Sequence, residues 1–302
     1  MQRRHFLLAL AGLPLLSRAA PPALNPWAES YCVSPLRRAA VMAPTPGGLR
    51  YQGTHILTYG ALRELSASYN RLGRGPVDVT GGGCDDGVTG VLRGEAELGG
   101  LCCPVEESRA AHLPSLLVAR DIKVVVAHPS VAVDDIALES LRRVARGEIR
   151  RWSELGDTDR AIALVVRRHC PDYLEPVRGL LLDNRPDWSP RALFVETDQQ
   201  LLETVVRYPG AVGVVSRALA LPYLKAGQLR ALHVDGVAPQ REAAEAGAYP
   251  LVGPLNIVYR EWDEARMRGF FDFLYSPLGA AIIGQALVPV SAREAGYGAV
   301  AV

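Results

Sequence analysis

Thr80-Gly81-Gly82-Gly83-Cys84-Asp85-Asp86-Gly87-Val88-Thr89-Gly90 is the stretch whose reading decides the fold. The alternating Val77-Asp78-Val79 leads into it and reads as a short strand. Helical spacing from Val88 to Leu92 leaves it. The glycines therefore sit at a strand-to-helix junction. Glycine lets backbone N–H groups turn inward and approach a ligand closely. A helix start adds unpaired donors and a partial positive charge, which suits a small anion. The same glycines would also serve a tight turn with no ligand. The unusual residue is Cys84, placed where the first helical turn begins, a position that acidifies a thiol.

Working outward, strands and helices alternate. Residues 49–55 read as a strand and 57–72 as a helix, with Leu57, Leu62, Leu65, Tyr69 and Leu72 on one face. A strand over 97–101 closes on Cys102-Cys103-Pro104, 106–111 reads as helical, and the apolar run 122–127 as a buried strand. A second series follows: helices over 138–146, 174–182, 198–206 (Thr197 as N-cap) and 267–274, with strands over 161–166, 211–215, 229–234 and 255–259. This alternation predicts an α/β fold with largely parallel sheets. Ligands bind such sheets at the carboxyl ends of strands. The turns at 53–55, 83–84, 101–103 and 168–170 all follow strands, so they are placed to converge.

Length and composition bound the function. The 302 residues allow one large or two medium units, and 49% hydrophobic with 22% charged residues is an ordinary soluble mix. A net charge of +1 implies no nucleic-acid partner. Met1-Gln2-Arg3-Arg4-His5-Phe6-Leu7-Leu8 is a basic start with paired arginines; an apolar core to Leu16 and small residues at 17–20 follow. Residues 1–22 thus read as an export signal of twin-arginine type, and no later run is long enough to span a bilayer. The expected location is the periplasm. Residues 23–47, rich in proline, read as an arm. Five cysteines in an exported chain suggest disulfides, but five is odd, and a vicinal Cys102–Cys103 bond would be strained. Cys32 has no assigned role.

Over roughly 49–290 the chain resembles the phosphate-type periplasmic solute-binding proteins, the ligand-capturing subunits of ABC phosphate transporters. The resemblance rests on an ordered set of segments: the glycine loop and its helix, 94–99, 119–126, the stretch Ala145 to Gly156 with its Trp152-Ser153-Glu154-Leu155-Gly156, 208–214, 234–239, 249–251, 276–279 and 288–290. It implies the two-lobed periplasmic-binding-protein fold (type II), with the ligand cleft between lobes joined by crossing strands. Lobe 1 is expected over 23–126 and 219–302, and lobe 2 over 127–218.

The family binds phosphate through serine and threonine hydroxyls, backbone N–H groups, an arginine and a carboxylate. Those turns are altered here. Gly83-Cys84-Asp85 replaces a Gly-Ser-Gly type turn, Leu101-Cys102-Cys103-Pro104 a serine-rich one, and His169-Cys170-Pro171-Asp172 a Ser-Gly-Thr-Arg type turn. His55, beside Thr54, stands where a small hydroxyl residue is usual. The resemblance implies a pocket of Thr54, His55, Gly83, Cys84, Asp85, Cys102, Cys103, Arg168, His169 and Cys170. Thiolates select soft ions such as Cu(I) and Zn(II), and three thiols suit trivalent arsenic, so Cys84, Cys103 and Cys170 are the soft-ion set. Arg167 and Arg168 keep an oxyanion possible. Cys84 paired with Cys102 or Cys103 as a structural disulfide is an equal alternative. Asp85 and Asp86 fit a helix N-terminus better than a metal.

The expectation is therefore a non-catalytic receptor for arsenite, arsenate, phosphate or a soft metal, with no resident cofactor beyond a bound As(III) or metal. It would serve an ABC permease or a sensor kinase. An enzyme ranks lower. His169 and Cys170 are adjacent and point apart. The glycine loop lacks the Lys-Ser/Thr ending of a P-loop, and no Gly-x-Ser-x-Gly or His-Glu-x-x-His occurs.

Overall fold

The computed structural model describes residues 45–106, 108–168, 174, 176–183, 185 and 187–298. Residues 1–22, read above as an export signal, together with Cys32, His169 and Cys170, lie outside the described residues. In chain order the strands are β1 (Leu49–Thr54), β2 (Val77–Gly82), β3 (Leu98–Leu101), β4 (Ser115–Ala127), β5 (Asp135–Ile136), β6 (Ala163–Arg167), β7 (Leu193–Val195), β8 (Ala211–Ser216), β9 (Arg230–Val234), β10 (Val252–Val258) and β11 (Val288–Pro289).

They form one continuous sheet in the order β2-β1-β3-β10-β4-β8-β6-β7, with β11 and β9 on β4 and β5 on β9. Each end of this order is parallel: β2, β1 and β3 at one, β8, β6 and β7 at the other. The centre is antiparallel, because β10 pairs with β3 and β4, and β8 with β4. The parallel expectation holds for the βα units and fails for the strands that join them.

β4 makes the two-lobed fold possible. Its 13 residues span about 43 Å at a strand's rise. Its first part pairs with β10 and β11, and its last part with β8 and β9. One strand is thus shared by both lobes. Residues Ile122 to Ala127 are buried throughout, which explains their near-continuous apolar character. The strand starts at Ser115, earlier than the apolar run alone shows. The division expected from sequence places 219–302 in lobe 1, whereas β9 pairs with the second-lobe part of β4 and with β5.

Two cores flank this sheet. One packs the helical stretch 55–71 against Glu264–Leu274 through Leu62, Leu65, Tyr69, Met267, Phe270 and Phe271, and continues over β4. The other buries Trp152, Leu141, Leu182, Leu232 and Leu251 on the second lobe. Trp152 is core, as expected, and its Nε1 donates to the Gly210 carbonyl at 2.8 Å. The helix Leu138–Arg146 buries Leu141, Val144 and Ala145 and ends at left-handed Gly147. Thr197 caps Asp198–Arg207 by accepting from the Gln200 N–H at 3.0 Å. The described residues of 106–111 form turns and a bend, not the expected helix: the Ser108 hydroxyl donates to the Val105 carbonyl at 2.8 Å and accepts from the Ala110 N–H at 3.1 Å, a local closure that competes with helix.

Candidate functional site

The glycine loop does lead from a strand into a helix. β2 runs through Gly82, Gly83 is the N-cap, and the helix is Cys84–Arg93. This helix lies unusually close to the sheet. A Cβ on Gly87 would stand 2.8 Å from the Gln52 carbonyl oxygen, and one on Gly99 2.7 Å from the Gly87 carbonyl oxygen. The glycines thus serve close packing, and that packing brings the first helical residue against the end of β3.

Cys84 consequently meets the Cys102-Cys103 turn that follows β3. The Sγ atoms of Cys84, Cys102 and Cys103 all lie within 4.8 Å of one another. Cys84 and Cys102 are 3.4 Å apart, sulfur to sulfur, and the Cys102 N–H donates to the Cys84 sulfur at 3.3 Å. No disulfide joins these three cysteines. Cys84 and Cys103 are buried beside Val88, Leu101, Val105 and Val258, while Cys102 is partly exposed. The Cys102 thiol is held well below the usual range by hydrogen bonds from Cys103 and then Cys84. The Lys123 charge and the Thr54 hydroxyl add to this, against the opposing effect of burial. Cys103 moves the other way, raised by its bond to Cys102, then by Cys84 and burial. Cys102 and Cys103 therefore titrate as one coupled pair whose members shift in opposite directions.

Thr54 ends β1 and is buried; His55 follows it at the start of the helical stretch. The imidazole packs against Gly81 and stacks on Tyr59, with ring centroids 5.7 Å apart. Among the described residues neither ring nitrogen has a hydrogen-bond partner, and both are covered. Burial, with the charges of Arg167 and Arg63, pushes the His55 pKa down to about 4 against the pull of Cys102, so the ring is neutral at pH 7.

Three expected positions behave differently. The Gly83 N–H donates to the Asp86 carboxylate at 2.9 Å, so this donor is taken up within the first helical turn instead of facing an anion. Asp85 pairs with Arg109 at the surface. Arg168 is exposed, pairs with Glu196 at 3.5 Å and lies over the Phe194 ring. Its neighbour Arg167 is the buried one: it pairs with Asp198 and its charge reaches His55 from the second lobe.

Sequence reasoning missed a further group. Asp121 and Lys123 lie two residues apart on β4, hence on one face, and both are buried. Lys123 Nζ donates to Asp121 at 2.7 Å, and the Ser216 hydroxyl donates to the same carboxylate at 2.7 Å. Lys123 is also one of the charges acting on Cys102. The signal was a charged pair, two apart, at the edge of an apolar strand.

No family model matches the chain. The phosphate-binding protein PstS of Bacillus subtilis is 25% identical over 232 residues, covering 71% of each chain. Among solved structures, a phosphate ABC transporter substrate-binding protein with bound phosphate from Clostridium perfringens superposes with a TM-score of 0.71 at 19% identity. It covers 81% of this chain and all of that one. An ABC-type phosphate transport receptor from Vibrio cholerae gives 0.64 at 23% identity, covering 80% of this chain and all of its own. The resemblance read from the ordered segments is thereby borne out: this chain has the two-lobed fold of the phosphate-type periplasmic solute-binding proteins and is similar to them along most of its length.

Proposed function

We propose that this protein is an exported, non-catalytic receptor that captures a small inorganic solute between its lobes, from the class of arsenite, arsenate and phosphate. It hands the solute to a membrane permease or reports it to a sensor kinase. The observation that carries the reading is the set of three cysteine sulfurs at the strand ends, beside a buried His55 on which the Arg167 charge acts. Strand ends are where such sheets bind ligands. The relatives bind phosphate, which supports a capture role for the architecture. Ligand binding would favour the closed state over the open one, in proportion to its differential affinity.

A second reading, a soft-metal receptor for Cu(I) or Zn(II), draws on the same sulfurs. The test is a thermal-shift panel of phosphate, arsenate, arsenite, Zn(II) and Cu(I), with and without reductant. A ligand at a hundred times its Kd should stabilise the folded chain by about 2.7 kcal/mol. If none of the five raises the melting temperature, the receptor reading fails.

A further inference from the structure

We propose that the ligand is a trivalent, three-coordinate thiophile, with arsenic(III) hydroxide as the fitting species, held by Cys84, Cys102 and Cys103 together. The inference rests on the receptor reading and narrows it to one class of ion.

Geometry is the first support. A soft ion binds thiolate at about 2.3 Å, so sulfurs in a right-angled pyramid stand about 3.3 Å apart and those in a tetrahedron about 3.8 Å. Cys84 and Cys102 already stand at 3.4 Å, and no pair exceeds 4.8 Å, so the widest closes by at most about 1.5 Å. Number is the second. Among the described residues no histidine, carboxylate or fourth cysteine joins the cluster, while a structural zinc takes four ligands.

Charge is the third. A trivalent ion with three thiolates is neutral; Zn(II) would leave one negative charge and Cu(I) two. The basic groups around the cluster already have carboxylate partners, Lys123 with Asp121 and Arg167 with Asp198. An extra charge buried here would be poorly compensated and costly. Oxyanions fit less well, since the Gly83 N–H is already engaged by the Asp86 carboxylate at the helix start.

The binding step balances without redox chemistry. Three As–O bonds break and three As–S bonds form. Each thiol proton leaves on a displaced hydroxide as water, giving three waters in all. Where Cys102 is already a thiolate, solvent supplies that proton. Arsenic stays trivalent throughout.

The test uses the reduced full chain with sodium arsenite. Native mass spectrometry should show a gain of one arsenic less three hydrogens, and arsenic X-ray absorption three sulfur neighbours and no oxygen. Altering groups that only orient the ligands weakens such sites by about 10–100-fold, so losing a ligand through Cys102→Ser or Cys103→Ser should weaken arsenite by about a hundredfold or more. Circular dichroism would check that each variant folds; the absorption spectrum of the unaltered protein needs no variant. Cys32→Ser should leave the mass gain in place. Arsenic that keeps an oxygen neighbour or binds unchanged in Cys102→Ser overturns the three-thiol site. So does a melting-temperature rise with phosphate, arsenate or Zn(II) but none with arsenite, and in that case the receptor reading survives. Silence from every ligand sinks both.

Discussion

Replacing Asp121 by asparagine tests the assignment of β4 as the strand on which both lobes depend. Asp121 and Lys123 have side chains only 1% and 5% exposed, in contact at 2.7 Å. The substituted carboxamide keeps one oxygen to accept from the Ser216 hydroxyl, but its NH2 then faces Lys123 Nζ, so both the countercharge and the acceptor for Lys123 are lost. A buried ion pair broken from one side costs about 3–5 kcal/mol, because the remaining charge is stranded. In a domain of this size 1 kcal/mol shifts Tm by about 2–4 °C, so Asp121→Asn should melt on the order of 10 °C lower. Urea titration would give the free-energy difference directly, provided the slope with denaturant is unchanged. Adding Lys123→Met removes the stranded charge and should recover much of the loss, since apolar replacement of a buried pair is often neutral or better. Asp121→Asn within about 0.5 kcal/mol of the parent would refute the reasoning, as would a double variant no more stable than the single one.

Three other outcomes can be checked independently. Gly100→Ala should destabilise by about 3 kcal/mol, because its Cβ would meet the Tyr51 hydroxyl at 1.9 Å, and Tyr51→Phe should recover part of this in thermal melts. Burial would raise the Glu97 carboxyl, but hydrogen bonds and charge from Arg50 and the charge of Arg266 outweigh it and hold the pKa below the usual 4.5. Its folded pKa being the lower, the stabilisation is present above about pH 4.5 and fades as pH falls through the folded value. Glu97→Gln should therefore cost about 2 kcal/mol at pH 7 and progressively less below pH 4.5, by urea titration; a pH-independent difference would count against it. Mild oxidation with diamide should join Cys84 to Cys102, abolish any thiol-dependent ligand shift, and be reversed by dithiothreitol. A ligand shift that persists after oxidation would show that the sulfurs are bystanders.

Much of this architecture could be read from residues alone, because periodicity reports burial directly. The helix over 138–146, the Thr197 cap and the strand-to-helix glycine loop all have local causes. The meeting of Cys84 with Cys102 and Cys103 was legible too, because each follows a strand and parallel strands end side by side. What could not be read depends on partners far away in the chain. Nothing local says that Arg167 turns inward to Asp198 while Arg168 turns out to Glu196. Likewise the Gly83 donor is consumed by Asp86, a choice made by cap geometry and invisible in glycine content. The antiparallel centre of the sheet arises because β10 returns beside β4 after more than a hundred residues, a pairing that no short window contains.

All three described sulfurs belong to the same half of the molecule, on the Cys84–Arg93 helix and the turn after β3. Opening the cleft would expose a bound ion without pulling its bonds apart. Release would then be set by exchange chemistry, and hand-over would proceed at a useful pace only to an acceptor presenting thiols of its own.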